Sequence, residues 1–259
     1  MITRKSAAEI EKMRRAGRIV AEVLALVEGE LAAGISTGHL DALAERHIRA
    51  AGAIPSFKGY LGGGRYGKGP GAFPASTCIS IDNEVVHGIP GDRLIKAGSI
   101  VSVDVGAIVD GWHGDGARSF LVGVVSEAAR ELVEATQLAM MAGIAAARPG
   151  GYVGDISAAV EDVGKAHGYG IVRPFVGHGI GTEMHQDPQV PNYRTGSRGP
   201  QLQPGMCLAI EPMFTLGDGE VFVEADDWTV STADDALAAH FEHTIAITAD
   251  GPEILTTIP

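Results

Sequence analysis

Four acidic side chains of this chain stand inside apolar runs, with almost no base nearby to neutralise them. Asp104 lies in IVSVDVGAIV, Asp115 in WHGDGARSFL, Glu211 in CLAIEPMF and Glu242 in HFEHTIAIT. Each run reads as a strand or a tight turn, and a carboxylate drawn into an apolar interior needs a partner. Two buried salt bridges fail on supply, because the flanking segments are nearly free of Lys and Arg. His178, framed by glycines in GHGIG, adds one nitrogen donor. Four carboxylates and an imidazole converging on one place are intolerable without cations, since crowded like charges cannot all ionise. An oxygen-rich set with a single nitrogen suits a pair of divalent ions of the Mn, Fe, Co or Zn type better than one structural zinc. Two such ions side by side hold a bridging hydroxide, the nucleophile that a hydrolase needs near neutral pH.

The segments around these residues repeat in order. Residues 6–28 carry apolar positions at helical period, and Ser6 with Glu9 forms a capping box. A second helix is expected over 37–51, closed by Gly52. A glycine-rich stretch, Lys58 to Gly71, precedes short strands at Thr77–Ile81 and Val85–Ile89. Ser126–Ala147 then reads as another long helix, broken at Pro149-Gly150-Gly151, with a further helix running to His167-Gly168. Segments 38–52 and 154–168 align at a constant offset of 116, sharing Gly38/Gly154, Ala42/Ala158, Glu45/Glu161, Ala50/Ala166 and Gly52/Gly168. The recurrence of helix, break, helix, glycine and strands predicts an α+β fold of two similar halves. No linker separates them, so residues 1–259 are expected to form a single domain with a ligand cleft between the halves.

Asp104 and Asp115 flank Asp110-Gly111, a hairpin turn signal between Ser99–Val109 and Trp112–Val122. With those two residues as the loop, Asp104 faces Ala117 and Asp115 faces Gly106, so both acids share one face. A bulge at Gly114 or Gly116 would adjust their separation. Two further histidines sit in rigid surroundings: His87 in NEVVHGIP, and His185 seven residues after His178 and just before Asp187-Pro188. Both are candidates for proton handling. His39, His47, His113 and His167 read as ordinary satisfied histidines.

Composition narrows the function classes. A net charge of −12 argues against a nucleic-acid surface, which needs clustered Lys and Arg. Cys78 and Cys207 are too few for a disulfide scaffold and suit a reduced, cytoplasmic protein. The charged start, MITRKSAAEIEKMRRAG, holds no signal-peptide core, and no run approaches the roughly 20 apolar residues of a membrane span. No association stripe stands out, so a monomer is expected.

The motifs NEVVHGIP, VDVG, GDGARSF, GHGIG with His185 following, AIEPM, DDWTV and FEHTIAIT occur together in this order. In this combination the chain resembles the type I methionine aminopeptidases from about Ser6 to Ile247. The resemblance implies the pita-bread fold, with two pseudo-symmetric halves around a dinuclear metal site. It implies that Asp104 chelates one metal, that Asp115 and Glu242 bridge, and that His178 and Glu211 complete the other. Glu211 would also be the general base. His87 would contact the scissile amide or the N-terminal amine, and His185 would stabilise the oxyanion. The methionine pocket would draw on Cys78, Met184, Trp228, Tyr60, Phe73 and Phe175, sulfur and aromatic surfaces that suit a thioether. The substrates would be nascent polypeptide N-termini at the ribosome, cleaved when the second residue is small.

The spacing from Glu211 to Glu242 is too short for the helical insertion of type II relatives, and no Cys/His-rich extension precedes Ser6. The segment Leu61–Gly69 reads as an insertion beside the pocket, where relatives usually have a shorter stretch. Two other readings stay open. Proline-specific peptidases of the same fold share all five ligand positions, but they typically carry an additional N-terminal domain. The fold also serves as a binding module that has lost its metals, whereas here all five ligands and both histidines are present.

Overall fold

The computed structural model describes residues 2–61 and 71–258. Helix α1 (Ala7–Glu30) starts at the expected capping box: Ser6 N–H donates to Glu9 Oε2 at 2.7 Å, and Glu9 N–H donates to Ser6 Oγ at 3.4 Å. Helix α2 (Thr37–Ala50) is followed by β1 (Ile54–Pro55), β2 (Thr77–Ile81) and β3 (Glu84–Val86). The hairpin β4 (Ile100–Val109) and β5 (Trp112–Leu121) completes this half. The second half again opens with two helices, α3 (Glu127–Ala146) and α4 (Val153–His167). The strands after them are β6 (Gly170–Ile171), β7 (Gly177–Gly179), β8 (Gln186–Val190), β9 (Cys207–Ile210) and β10 (Met213–Thr215). The chain closes with β11 (Val221–Val223), β12 (Val230–Thr232), β13 (Ala238–His240), β14 (Glu242–Ile247) and β15 (Pro252–Ile254).

The strand expected to run on to Ile89 ends at Val86, because His87 adopts a left-handed backbone at φ 61° that cannot continue a strand. No helix among the described residues is long and apolar enough to cross a membrane.

One nine-stranded sheet joins the halves in the order β1-β4-β5-β14-β9-β7-β8, with β2 added to β4 and β15 to β14. Two cores flank it. One packs α1 and α2 on β2 and β4 through Val20, Leu40, Ile79 and Val103, among others. The other packs α3 and α4 on β9 and β14 through Leu132, Ile156, Leu208 and Ile245. The repeat legible in the sequence is therefore a repeat of helix pairs, each with its own apolar base.

Alternation along the hairpin decides which face the helices take. Val101, Val103, Val105, Ala107 and Val109 of β4 all point into the α1–α2 core, leaving Asp104 and its even-numbered neighbours on the other face. On β5 the helix side carries Gly114 and Gly116. A Cβ at Gly114 would lie 2.5 Å from the Gly17 nitrogen, and one at Gly116 would lie 3.1 Å from Val20 Cγ1. Helix α1 thus rests almost directly on the hairpin backbone. It also meets β15 and the residue after it: a Cβ at Gly17 would lie 2.4 Å from the Leu255 carbonyl oxygen, and Arg14 pairs with Glu253 at 2.7 Å. Gly114→Ala is expected to push α1 off the hairpin at a cost of about 1–3 kcal/mol, lowering Tm by several degrees. Calorimetry on the variant checks this; an unchanged Tm would mean that helix and hairpin are not in close contact.

Candidate functional site

Four strands of the large sheet each carry one of the five residues, and the fifth, Glu211, directly follows β9 between them. The register aligns Asp104 with Ala117 and Ala117 with Glu242, so Asp104 and Glu242 share a face. Asp115 lies two residues from Ala117 on that face. Across the other strands, His178 pairs with Ala209 and Ala209 with Thr244, giving His178 the same parity as Glu242. Glu211 follows Ala209 by two residues, immediately past the end of β9. A single face of one sheet therefore holds four of them, opposite the face that seats α1, and Glu211 reaches the same place from just past β9.

The hairpin turn forms at Asp110-Gly111 with φ of 50° and 79°, the left-handed pair that a two-residue loop requires. The β4–β5 ladder then runs without a register shift from Val109/Trp112 to Ile100/Leu121. The bulge expected at Gly114 or Gly116 is absent: these glycines serve close packing under α1. The irregularity falls instead between His178 and Gly179 on the β7–β8 pair, where a Cβ at Gly179 would lie 2.1 Å from the Asp187 carbonyl oxygen. Asp115 is braced where β5 and β14 stop pairing. Thr244 Oγ1 accepts from Asp115 N–H at 3.0 Å and donates to the Asp115 carbonyl at 2.8 Å.

Ligand atoms of Asp115, His178 and Glu242 lie within 4.8 Å of one another. His178 Nδ1 is 2.9 Å from the Gly179 carbonyl, which can only accept, so the ring proton sits on Nδ1. Its Nε2 lone pair then faces Glu211 Oε1 at 3.4 Å and Asp115 Oδ2 at 3.8 Å. A lone pair aimed at two carboxylate oxygens is repulsive unless a proton or a cation lies between them, and this tautomer is the usual one for a metal-ligating histidine. Asp104 Oδ1, Asp115 Oδ1 and Glu242 Oε1 are buried without a hydrogen-bond partner. Burial, above all, pushes the Asp104 carboxyl up to about 7. Burial and then the neighbouring acids hold Asp115, Glu211 and Glu242 well above the usual carboxylate range. Burial and the His185 ring push His178 down to about 3, so it stays neutral. Acids short of partners around a neutral imidazole fit divalent cations.

A second set of side chains borders this cluster. His185 stands ring to ring with His178 at 4.4 Å, and its Nδ1 is 2.7 Å from the Tyr60 hydroxyl. His87 meets Phe175 edge-on at 5.5 Å and Trp228 at 6.4 Å, and Trp228 meets Phe73 at 5.1 Å. Burial pushes His87 down to about 4. Cys78 lies opposite Asp104 in the β2–β4 register and shares one apolar cluster with Phe73, Tyr60 and Trp228. Phe175 packs with Val85 and Val86 instead. Met184 belongs to a different cluster, with Met13, Ile180 and Cys207, and reaches to 3.0 Å from where a Gly106 Cβ would stand. Of the inserted segment Leu61–Gly69, only Leu61 falls within the described residues.

Sequence reasoning passed over His240. It is 1% exposed, its Nε2 is 3.9 Å from Glu211 Oε2, and that nitrogen has no hydrogen-bond partner. Its segment changes sheets before Glu242, so spacing along the chain gave no signal for it. Of the histidines set aside, His39 and His47 pair with Glu30 and Glu22 at 3.0 and 2.9 Å, and His167 Nδ1 lies 3.0 Å from the Val163 carbonyl oxygen. His113 is buried with Nδ1 3.0 Å from Ser56 Oγ, a satisfied histidine whose ring nevertheless shares the face of Asp115.

Comparison with known proteins agrees with this geometry. Residues 11–249 match the model of metallopeptidase family M24. The methionine aminopeptidase of Clostridium acetobutylicum is 49% identical over 257 residues, covering 99% of both chains. Methionine aminopeptidase 1 of Bacillus subtilis is 45% identical over 258 residues, covering 100% of both. The crystal structure of a methionine aminopeptidase from Thermotoga maritima superposes with a TM-score of 0.94 at 41% identity, again over 100% of each chain.

The pKa directions set an expected pH dependence for the chelated protein. Asp104, Asp115, Glu211 and Glu242 bind more protons folded than unfolded, so their contribution to stability is lost as pH rises through the raised values, about 7 for Asp104. His87 and His178, depressed to about 4 and 3, act oppositely, but only below the ordinary histidine value. From roughly pH 6.5 upward only the acids still titrate. With chelator present, Tm should therefore fall from about pH 6.5 into the mildly alkaline range, and Mn(II) should abolish the fall. Melting curves that coincide with and without metal across that window would contradict a cation site.

Proposed function

The chain belongs to metallopeptidase family M24, among its methionine aminopeptidases, and we propose that it removes the initiator methionine from polypeptides whose second residue is small. The observation that carries this reading is the convergence of four acids, Asp115 and Glu242 buried and Asp104 and Glu211 partly so, on the Nε2 lone pair of His178. Asp104 would hold one divalent ion, His178 and Glu211 the other, with Asp115 and Glu242 shared. When bound, such ions supply Lewis acidity, polarising a peptide carbonyl and making water acidic enough to attack near neutral pH. Co, Mn, Fe(II) and Zn all suit this donor set.

The remaining steps belong to the chain's own side chains. Glu211 takes the proton of the attacking water, a role suited to a buried carboxylate whose proton affinity is raised. His87, neutral and held between Phe175 and Trp228, contacts the scissile amide or the N-terminal amine. His185, accessible beside His178 and bonded to Tyr60, stabilises the developing oxyanion. Cys78, Phe73, Tyr60 and Trp228 receive the methionine side chain, whose polarisable sulfur favours aromatic edges. Phe175 lines the rim beside His87, and Met184 covers Gly106 on the sheet face that carries Asp104. Nascent chains at the ribosome are the natural substrates, met by a cytoplasmic monomer.

Hydrolysis of Met-Ala-X against Xaa-Pro-X peptides, with and without added metal, tests the reading. The first peptide should be cleaved only with metal, and the second hardly at all. Preference for Xaa-Pro-X would reassign the chain to proline-specific chemistry, and tight metal binding without turnover would make it a binding module. Glu211→Gln should lower kcat by roughly 10²–10⁴-fold. His185→Ala should lower kcat by a comparable factor while changing KM little, the mark of an interaction made in the transition state. Wild-type turnover in His185→Ala would remove its oxyanion role.

A further inference from the structure

The Glu211 carboxylate lies between two imidazoles. Its Oε1 is 3.4 Å from His178 Nε2, and its Oε2 is 3.9 Å from His240 Nε2. We propose that His240 is a positioning residue for Glu211, donating from Nε2 to Oε2 so that Oε1 stays turned toward His178 and the acid cluster. This rests on the reading of Glu211 as metal ligand and base, and adds what aims it.

Three observations carry the assignment. First, His240 Nε2 is buried without a partner, and an unpaired buried polar nitrogen costs free energy unless a group within reach accepts from it. Glu211 is the acid that its Nε2 approaches. The 3.9 Å separation is just outside hydrogen-bond range, and a small rotation of the carboxylate closes it; such contacts are often long in the ligand-free protein.

Second, both backbones are fixed. His240 N–H donates to Ser119 Oγ at 2.9 Å, and Ser119 Oγ donates to the His240 carbonyl at 2.9 Å. The Ser102 hydroxyl, 2.7 Å away, can donate to the same oxygen and complete it. Asn192 Nδ2 donates to the Glu211 carbonyl at 3.0 Å. What remains free is the Glu211 side chain, and His178 and His240 approach its two oxygens.

Third, the chain path brings the two residues together. His240 ends β13, paired with Met213 of β10, whereas His243 of β14 pairs with Ile210 of β9. Both chains change sheets between those pairs, Glu211-Pro212 on one and Phe241-Glu242 on the other. Glu211 therefore stands at a corner, outside any regular ladder, and needs a side chain to aim it. A neutral imidazole with its proton on Nε2 meets that need without adding charge to the site.

His240→Leu and His240→Gln, in the full-length protein, test this. The first removes the donor at similar volume; the second keeps an N–H near the Nε2 position. His240→Leu should weaken Mn(II) binding measured by calorimetry, change the d–d spectrum of the Co(II)-loaded protein, and lower kcat on a Met-Ala peptide about 10–100-fold with little change in KM. His240→Gln should restore most of the metal affinity, spectrum and kcat. The proposal is overturned if His240→Leu matches the wild type in affinity and spectrum. It is equally overturned if both variants lose activity together with Tm, which would assign His240 to packing. A wild-type protein that takes up no metal would instead sink the metal reading, and this one with it.

Discussion

Partner-starved carboxylates on one sheet face are the constraint around which the molecule is arranged. Asp115 and Glu242 are 3% and 2% exposed, and among the described residues no Lys or Arg pairs with any of the four acids. Burial of this kind destabilises a fold unless something else holds the strands in place. Two helix pairs do so. Each has its own apolar base, and both cores meet the same continuous sheet. The acids are thus held by packing that does not depend on them, which is how a site can keep unfavourable charges close together.

Fixing the acids takes more than strands. The β5–β14 ladder covers Glu242 and His243 only. Where it ends, the Thr244 hydroxyl takes the place of ladder bonds and holds the Asp115 backbone at both its donor and its acceptor. Ser119 performs the same service for His240, and Asn192 for Glu211. Small hydroxyl and amide side chains supply hydrogen bonds where the sheet has to open to form a site, and they leave the carboxylates themselves free.

Much of this was legible in the sequence because alternation is a strong signal. The register of Asp104 against Ala117 and Asp115 against Gly106 followed from a two-residue Asp-Gly loop, and the β4–β5 ladder has that register throughout. The helices followed from period and from the Ser6 capping box, while the third begins one residue later than expected because Ser126 caps it. What escaped depends on tertiary contacts. The glycines beside Asp115 suggested a bulge, whereas they make room for α1, a neighbour distant in sequence. His240 escaped because the strand carrying it changes sheets at Phe241, so parity with Glu242 no longer reports which way it points. Met184 and Phe175 suit a thioether pocket by type, and they join Cys78 and Trp228 only through shared neighbours, Tyr60 for Met184 and His87 for Phe175.

The seating of α1 sets an order of events during synthesis. This first helix rests on the β5 backbone at one contact and on the Leu255 carbonyl at another, and Glu253 pairs with its Arg14. Glu242 and the strand that carries it also come late in the chain. Contacts spanning so much sequence form slowly, because the loop must close before they are rewarded. Until residues 242–255 join the sheet, α1 lacks the part of its seat formed by Leu255 and Glu253, and the acid cluster lacks Glu242. The acid cluster is therefore assembled only after the strand bearing Glu242 joins the sheet, so the site is among the last features of the fold to form.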